Sequence, residues 1–366
     1  MSSEISGENR SLQFLEELDR LELIRAIKGL DFFYPEQFPI KPTGRFISVI
    51  LLRKSESELV LRTDEGITKE LVHLGFQDGE VKSRVIFSKR KATAAERRGG
   101  REFLRLHGVL TDDCSINAAM CGQCVDCLLY GFAAAERGET SKGSLKSRVL
   151  TENAYSILPA SDVTDERTFN ALSEMEVMMD VTESGELKMR ESINALEYVK
   201  PETHFVDIET FRDVRPAEFI YGIGNILRTS RYGAISSRMG KVRNEIVAIV
   251  AADSELFSSL QLTKALWDKL EPTKRNHPLD DMLVREKLKE VIQGFFNEAP
   301  ARKVLVDDSG LHVQNSGASD SASTSGSPLQ EFLEKVKNLY KAPEETGLLE
   351  ALKNLKRLGP SESSNQ

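Results

Sequence analysis

Apolar residues follow two rhythms along this chain. From Ser11 to Ile27, Leu12, Leu15, Leu18, Leu21, Leu23, Ile24 and Ile27 recur among charges. That spacing predicts an amphipathic helix, broken by Tyr34-Pro35 and Phe38-Pro39. Phe46 to Leu52 is instead a nearly unbroken apolar run, which predicts a buried central strand. Leu59 to Leu61, Ile67 to Leu74 and Val81 to Phe87 predict further strands, with a turn at Asp64-Glu65-Gly66. Val149 to Leu158 predicts a strand returning to the core. Leu196 to Val199 and His204 to Phe211 alternate apolar and polar positions, as half-buried strands do. Pro216 to Leu227 predicts a helix with proline near its start, and Val242 to Ala252 a core strand. Ser254 to Leu270 and Leu279 to Phe296 predict helices. Asp307 to Pro328 holds seven serines and reads as a flexible linker. Leu329 to Leu358 offers two short amphipathic helices.

This order predicts an α+β protein rather than a regular βαβα alternation. A split β-α-β core carrying inserted subdomains accommodates it. The expected divisions are an N-terminal helical segment (1–40), the first part of the core (41–95), a cysteine-rich insertion (96–148) and a core strand (149–160). An acidic insertion (161–195), with Gly185 as a turn, then precedes the second part of the core and its helices (196–300). A linker (301–328) and the C-terminal helices and tail (329–366) complete the chain.

Charge changes the picture through its distribution. The net charge of -8 disfavours a surface that coats nucleic acid everywhere. Yet Lys82 to Arg105 carries nine basic residues against Glu96 and Glu102, and Arg228 to Arg243 carries five and no acid. Ala160 to Glu197 carries ten acids and three bases. One positive face and at least one negative face are expected. No apolar run approaches ~18–20 residues, so no membrane-spanning helix is expected. The N-terminus lacks the apolar centre of a secretory signal. A cytoplasmic chain with reduced thiols follows as the expectation.

All four cysteines, Cys114, Cys121, Cys124 and Cys127, lie within fourteen residues as C-x6-C-x2-C-x2-C. Tetrahedral Zn2+ needs four donors, and a closed set of four protein ligands makes such a site structural. One straight helix cannot supply them, since Cys121 and Cys127 would lie about 9 Å apart along its axis. A turn at Gly122-Gln123 removes that obstacle. The C-x2-C-x2-C spacing also suits an iron–sulfur cluster, and buried reduced thiols are a third reading. His107 is a possible substitute ligand.

Two basic loops flank this insertion, Arg97-Arg98-Gly99-Gly100-Arg101 and the span from Arg137 to Arg148. Thr229 to Lys241 forms a further basic glycine loop. Arginine and lysine neutralise phosphates, and glycine lets backbone N–H groups approach them. Tyr232 lies among these cations and is a candidate to stack on a base. Tyr221-Gly222-Ile223-Gly224 begins like a dinucleotide fingerprint, but position 227 is leucine and the segment lies within a helix. Asp112-Asp113 is a weak candidate for a divalent ion beside a nucleic-acid chain, against an ordinary turn.

The run Arg228-Thr229-Ser230-Arg231-Tyr232-Gly233-Ala234-Ile235-Ser236-Ser237-Arg238, followed by a core strand, carries a family resemblance. So does Leu145-Lys146-Ser147-Arg148-Val149 leading into Glu152-Asn153-Ala154-Tyr155 behind a cysteine-rich insertion. Together they resemble the Csc-two family, Cas-seven-type backbone subunits of type I-D CRISPR effector complexes (Cascade). The resemblance spans roughly Phe46 to Phe296. It implies an RNA-recognition-motif (ferredoxin-like) core with a zinc-bearing insertion and a second, thumb-like insertion. It also implies a CRISPR guide RNA as ligand, bound by its backbone without sequence readout. Copies of the chain in a helical filament, the other effector subunits and target DNA are the implied partners. By position, Arg228, Arg231, Arg238, Lys41 and Arg45 are the first expected RNA contacts. Arg97, Arg98, Arg101, Lys146 and Arg148 come after them. No turnover is expected; the rival reading is a metal-dependent nuclease like the related type III backbones, with Asp112 or Asp113 as its aspartate. A zinc-stapled adaptor that touches only protein is a third class.

Overall fold

A computed structural model describes residues 14–29, 31–33, 41–63, 66–116, 118–133, 143–169, 179–181, 187–189, 194–315, 318–320 and 327–355. Helical residues 14–19 and helix α1 (Glu22–Gly29) come first. Strand β1 (Phe46–Ser55) follows, then β2 (Lys69–His73), β3 (Val81–Phe87), and the long helix α2 (Lys89–Leu106). Helix α3 (Val125–Tyr130) lies in the cysteine-rich segment. After it come β4 (Val149–Thr151), β5 (Ala154–Ser156), β6 (His204–Arg212), α4 (Pro216–Arg228) and β7 (Val242–Ala252). Helices α5 (Ser259–Lys269) and α6 (Asp281–Glu298), strands β8 (Lys303–Val306), β9 (Leu311–Asn315) and β10 (Ala318–Asp320), and helices α7 (Pro328–Lys341) and α8 (Leu348–Lys353) end the described fold.

The chain is thus a mixed helix and antiparallel sheet protein. One sheet runs β10-β9-β8-β7-β1-β6-β5-β3-β2, with β4 also paired to β6. The apolar run at β1 becomes its centre, paired antiparallel to β6 (Ile47 opposite Phe211) and to β7 (Ile47 opposite Ala251). Because β1 is covered on both faces, it serves two cores. Ile47, Val49 and Leu51 pack with α1, α4, α7 and α8, while Ile50 and Leu52 pack with α5 and α6. A strand buried on both faces has no reason to alternate, which is why its sequence is nearly all apolar.

Caps set several helix starts. The Ser258 hydroxyl accepts from the Gln261 N–H at α5, the Asp280 carboxylate from Leu283 at α6, and the Ser327 hydroxyl from Gln330 at α7. In α4 the two glycines are contact residues. A Cβ on Gly222 would lie 2.2 Å from the Phe211 ring, and one on Gly224 2.0 Å from the Tyr340 ring. The incipient fingerprint is therefore a packing device, as its place inside a helix implies.

Three expectations are corrected. Arg97-Arg98-Gly99-Gly100-Arg101 is not a loop but the middle of α2. Its glycines admit α4, since a Cβ on Gly100 would lie 2.2 Å from Asn225 Oδ1. The segment after Asp307 is not a linker as far as it is described, because β9 and β10 extend the sheet there. The strand expected over residues 149–158 is two, interrupted at Glu152-Asn153. The expected turns at residues 64–65 and 185, and the basic span at 134–142, lie outside the described residues. Of the acidic insertion, two ribbons are described: Thr164–Phe169 with Asn194–Val199, and Met179–Val181 with Leu187–Met189.

A buried ionic cluster joins α2 to the sheet. Arg53 of β1 pairs with Glu96 of α2 at 2.9 Å, and with Asp207 and Glu209 of β6. Lys89 of α2 pairs with Asp207 at 2.9 Å and Glu209 at 2.6 Å. All five side chains are essentially excluded from solvent. Three carboxylates meet two cations, and Glu209 is pushed up to about 7 by burial and by neighbouring Glu96. Arg53→Ala would leave the acids with Lys89 alone. It is expected to cost about 3–5 kcal/mol of unfolding free energy in a denaturant titration, as for a buried pair that loses one partner.

One residue further along β1, Lys54 reaches Asp281 at the start of α6 at 2.8 Å, and Asp281 also receives Arg243 at 2.7 Å and buried His204 at 2.9 Å. Burial lowers the His204 pKa to about 4 against the ordinary 6.5. The ring is therefore neutral at pH 7 and donates a hydrogen bond through Nε2. Between pH 6.5 and 4 the unfolded histidine takes up a proton that the folded one refuses, so folding weakens as pH falls. His204→Gln should remove that component. Its stability relative to wild type, measured by thermal unfolding across this range, should rise steadily as pH drops.

Candidate nucleic-acid interface and cysteine centre

The four cysteines converge. Cys114 follows α2, Gly122 turns the chain at φ +73°, and Cys124 caps α3, its sulfur accepting from Cys127 N–H at 3.5 Å. The turn expected at Gly122-Gln123 is the device that brings Cys121 beside Cys127, at 3.8 Å between sulfurs. Cys114 lies 4.0 Å from Cys124 and 3.7 Å from Cys127, and all four sulfurs fall within 4.8 Å of one another. Bonds of about 2.3 Å to a tetrahedral ion place sulfurs about 3.8 Å apart, so the set fits a single metal ion. Backbone N–H groups of Cys121, Gln123 and Cys124 point at these sulfurs at 3.3–3.5 Å. Such donors favour thiolates, the form that binds metal. Glycine is required where α3 ends. At Gly131 φ is +77°, and a Cβ there would lie 2.4 Å from Leu145 O.

Beside this centre runs a groove of about 770 Å³. Arg90, Arg97, Arg98, Arg101 and Arg105 of α2 form one wall, and Ser115, Ser147 and Thr151 contribute to the other side. The arginine spacing of 7, 8, 11 and 15 residues from Arg90 defines one face of a helix. The opposite face, Ala92, Glu96, Gly100, Phe103 and Leu104, is buried.

The five arginines divide into two groups. Arg97 donates to both Asp126 oxygens (Nε at 3.1 Å, Nη2 at 2.8 Å) and to Gly131 O at 3.0 Å. Arg101 is buried and donates to Asp126 at 2.6 Å and to the Cys114 carbonyl. Burial lowers the Arg101 pKa, but Asp126 outweighs it and holds the guanidinium firmly charged. Arg90, Arg98 and Arg105 are exposed and form no ion pair among the described residues. They are the cations a phosphate chain would meet.

The other expected contacts are not among the residues that line the groove. Arg228 is exposed, with its guanidinium over the rings of Phe103 (4.5 Å) and Tyr340 (5.5 Å). Arg231 and Arg238 are exposed on the loop before β7, and Arg231 donates to Met239 O at 3.2 Å. None of these three lines the groove. Lys41 is exposed, and Arg45 lies at the start of β1, where Asp213 accepts from its backbone N–H at 3.0 Å. Lys146 is exposed next to groove residue Ser147.

Three expected contacts are corrected outright. Arg148 is buried and donates to Glu218 and to Asp213 O, tying β4 to the start of α4. Tyr232 cannot stack on a base. Its ring lies inside, 5.4 Å from the Phe87 ring, and its hydroxyl donates to Glu96 at 2.9 Å. Arg101 is likewise withdrawn from any ligand by its two partners. His107 packs against Phe103 instead of joining the cysteines. Asp112 and Asp113 are exposed in a turn, and among the described residues the cysteines are the sole group of three or more side chains whose ligand atoms are placed to hold a metal ion. The sequence reading missed Arg90, Arg105 and Asp126. The helical period of the arginines would have found the first two, but Asp126 becomes meaningful only when α3 folds against α2.

These features define an α+β protein with an arginine-walled groove beside a tetrathiol centre. The chain belongs to the Csc2 family: the family described as Csc2 Crispr matches residues 33–345. The crystal structure of Thermofilum pendens Csc2 is similar in fold, with TM-score 0.52 and 16% identity over 87% of each chain. A chain of a CRISPR RNA-guided surveillance complex has TM-score 0.44 and 12% identity, over 81% of this chain and 99% of that one. A chain of a Type IV-B CRISPR Complex has TM-score 0.35 and 14% identity, over 56% and 90%. No curated protein matches. No helix among the described residues is long and apolar enough to cross a membrane.

Cys121→Ser and Cys127→Ser should each abolish stoichiometric metal retention, measured by elemental analysis after gel filtration. A full ion retained by both variants would show that these thiols do not form the centre.

Proposed function

We propose that this chain is a CRISPR RNA-binding backbone subunit of a type I-D interference complex. In this reading it oligomerises along the guide and holds it open for pairing with target DNA. The observation that carries the reading is the α2 face: a row of arginines along a groove with hydroxyl groups on its other side. Arginine-to-phosphate contacts give affinity without reading bases, as a subunit repeated along one guide needs. The strand order β7-β1-β6-β5, with α2 and α4 as the two connecting helices, supports an RNA-recognition-like core. The ion is Zn2+ in this reading. The sulfur separations suit one tetrahedral ion, whereas a cluster that gives each thiolate its own iron needs wider spacing.

The partners are the guide RNA, further copies of this chain, other effector subunits and target DNA, in the cytoplasm. In this reading the chain acts as a backbone, without turnover.

The test is binding of unrelated single-stranded RNA sequences across a salt series. Affinity should be similar for all of them. The triple variant Arg90→Ala, Arg98→Ala, Arg105→Ala should reduce the slope of log affinity against log salt by about 2, since each phosphate left unneutralised on a single strand removes about 0.7. An unchanged slope would remove the groove from the interface. Regular cuts in a complementary strand with magnesium, abolished by Asp112→Ala or Asp113→Ala, would install the nuclease reading instead.

A further inference from the structure

Asp126 occupies an unusual place. It lies on α3 between two cysteines of the centre, Cys124 and Cys127, and is fully buried. A carboxylate there needs partners, and both come from the groove wall. Arg97 chelates it with two nitrogens, and Arg101 reaches it at 2.6 Å. Arg101 also spans to the first cysteine, with Nη2 3.5 Å from Cys114 Sγ and bonded to the Cys114 carbonyl. Arg97 lies over the Tyr130 ring at 5.7 Å and holds the carbonyl of Gly131, where α3 ends. Two arginines on one face of α2 are therefore fixed to the beginning, middle and end of the cysteine-bearing segment.

The consequence is mechanical. The helix α3 has six residues, too short to hold its own shape in water. All six residues are buried, and Cys124 at its N-cap and Cys127 in its first turn tie it to the sulfur cluster. Asp126 lies between those two anchors, so an ion held by the four sulfurs would fix the aim of the carboxylate as well. The carboxylate in turn seats Arg97 and Arg101 in the groove wall. This leaves Arg90, Arg98 and Arg105 exposed along a wall of fixed shape.

We infer that Asp126 is a positioning residue that couples the metal centre to the nucleic-acid groove, so that metal occupancy sets how tightly the groove grips a single-stranded polyanion. This rests on the RNA-binding reading above. Coupling of this kind commonly amounts to about 5–150-fold in affinity.

Three samples of the full chain test it: metal-loaded wild type, wild type stripped by a chelator, and metal-loaded Asp126→Asn. One readout needs no nucleic acid. Arginine modification by p-hydroxyphenylglyoxal is mapped by mass spectrometry, with Arg84, buried against Trp267 on the other side of the sheet, as reference. Arg97 and Arg101 should be protected in loaded wild type and reactive in the other two samples, while Arg84 stays protected throughout. The second readout is binding of a labelled single-stranded RNA. Stripping should weaken it about tenfold in wild type. Asp126→Asn should show the same loss with its ion retained, and no further loss when stripped. Protection of Arg97 and Arg101 that survives stripping overturns the coupling, as does a rise in Arg84 reactivity together with theirs. An equal further loss on stripping Asp126→Asn overturns it too. Should Asp126→Asn not fold, the stripped wild type decides by the same arginine pattern. If loaded wild type binds no RNA, the functional reading falls, while the arginine map still decides the coupling.

Discussion

The structure depends on a group of charges that never meets water. Arg53 and Lys89, set against Asp207, Glu209 and Glu96, hold α2 to the sheet. Burying five ionisable groups is costly, and a hydrophobic layer of the same volume would serve stability as well or better. What the ions provide is a fixed seat. These pairs are met at one helix position and not at its neighbours. The groove arginines lie on the opposite face of the same helix, so their placement is inherited from this seat.

The fold was legible where burial alone decides. The apolar run at β1 and the helical segments of α5 and α6 became the elements they implied. The alternation in β6 implied a half-buried strand, but every residue from His204 to Phe211 is buried, because its acids Asp207 and Glu209 enter the ionic cluster. Boundaries moved where caps act: α5 begins after Ser258 and not at Ser254, because Ser258 and Gln261 satisfy each other's backbone. The serine-rich stretch misled for a different reason. Leu311 and Val313 are few among polar residues, but they complete a sheet whose edge is already in place, and edge strands need little apolar character of their own.

The site was legible by composition and illegible by geometry. Four clustered cysteines announced a centre, and the turn at Gly122 was foreseeable from helix dimensions. Basic residues announced a positive surface, but not which of them stay free. Arg101 and Arg148 look like their neighbours in sequence, and both are consumed by buried carboxylates, Asp126 and Glu218. Tyr232 sits among cations along the chain, yet the loop folds it inward against Glu96 and Phe87. Glycines beside arginines suggested a loop because glycine is poor in helices. Here the close approach of α4 outweighs that propensity.

The notch at Gly224 has a consequence for how the molecule is made. It receives Tyr340, and the Phe219 ring stacks on Phe332 of the same closing helix. Until α7 emerges from the ribosome, that apolar floor stays bare through the synthesis of more than a hundred residues. A nascent chain with an open seam of this kind is vulnerable to wrong partners, including other copies of itself. Completion of the C-terminal helices is thus the moment at which a sticky intermediate becomes a subunit able to choose its neighbours.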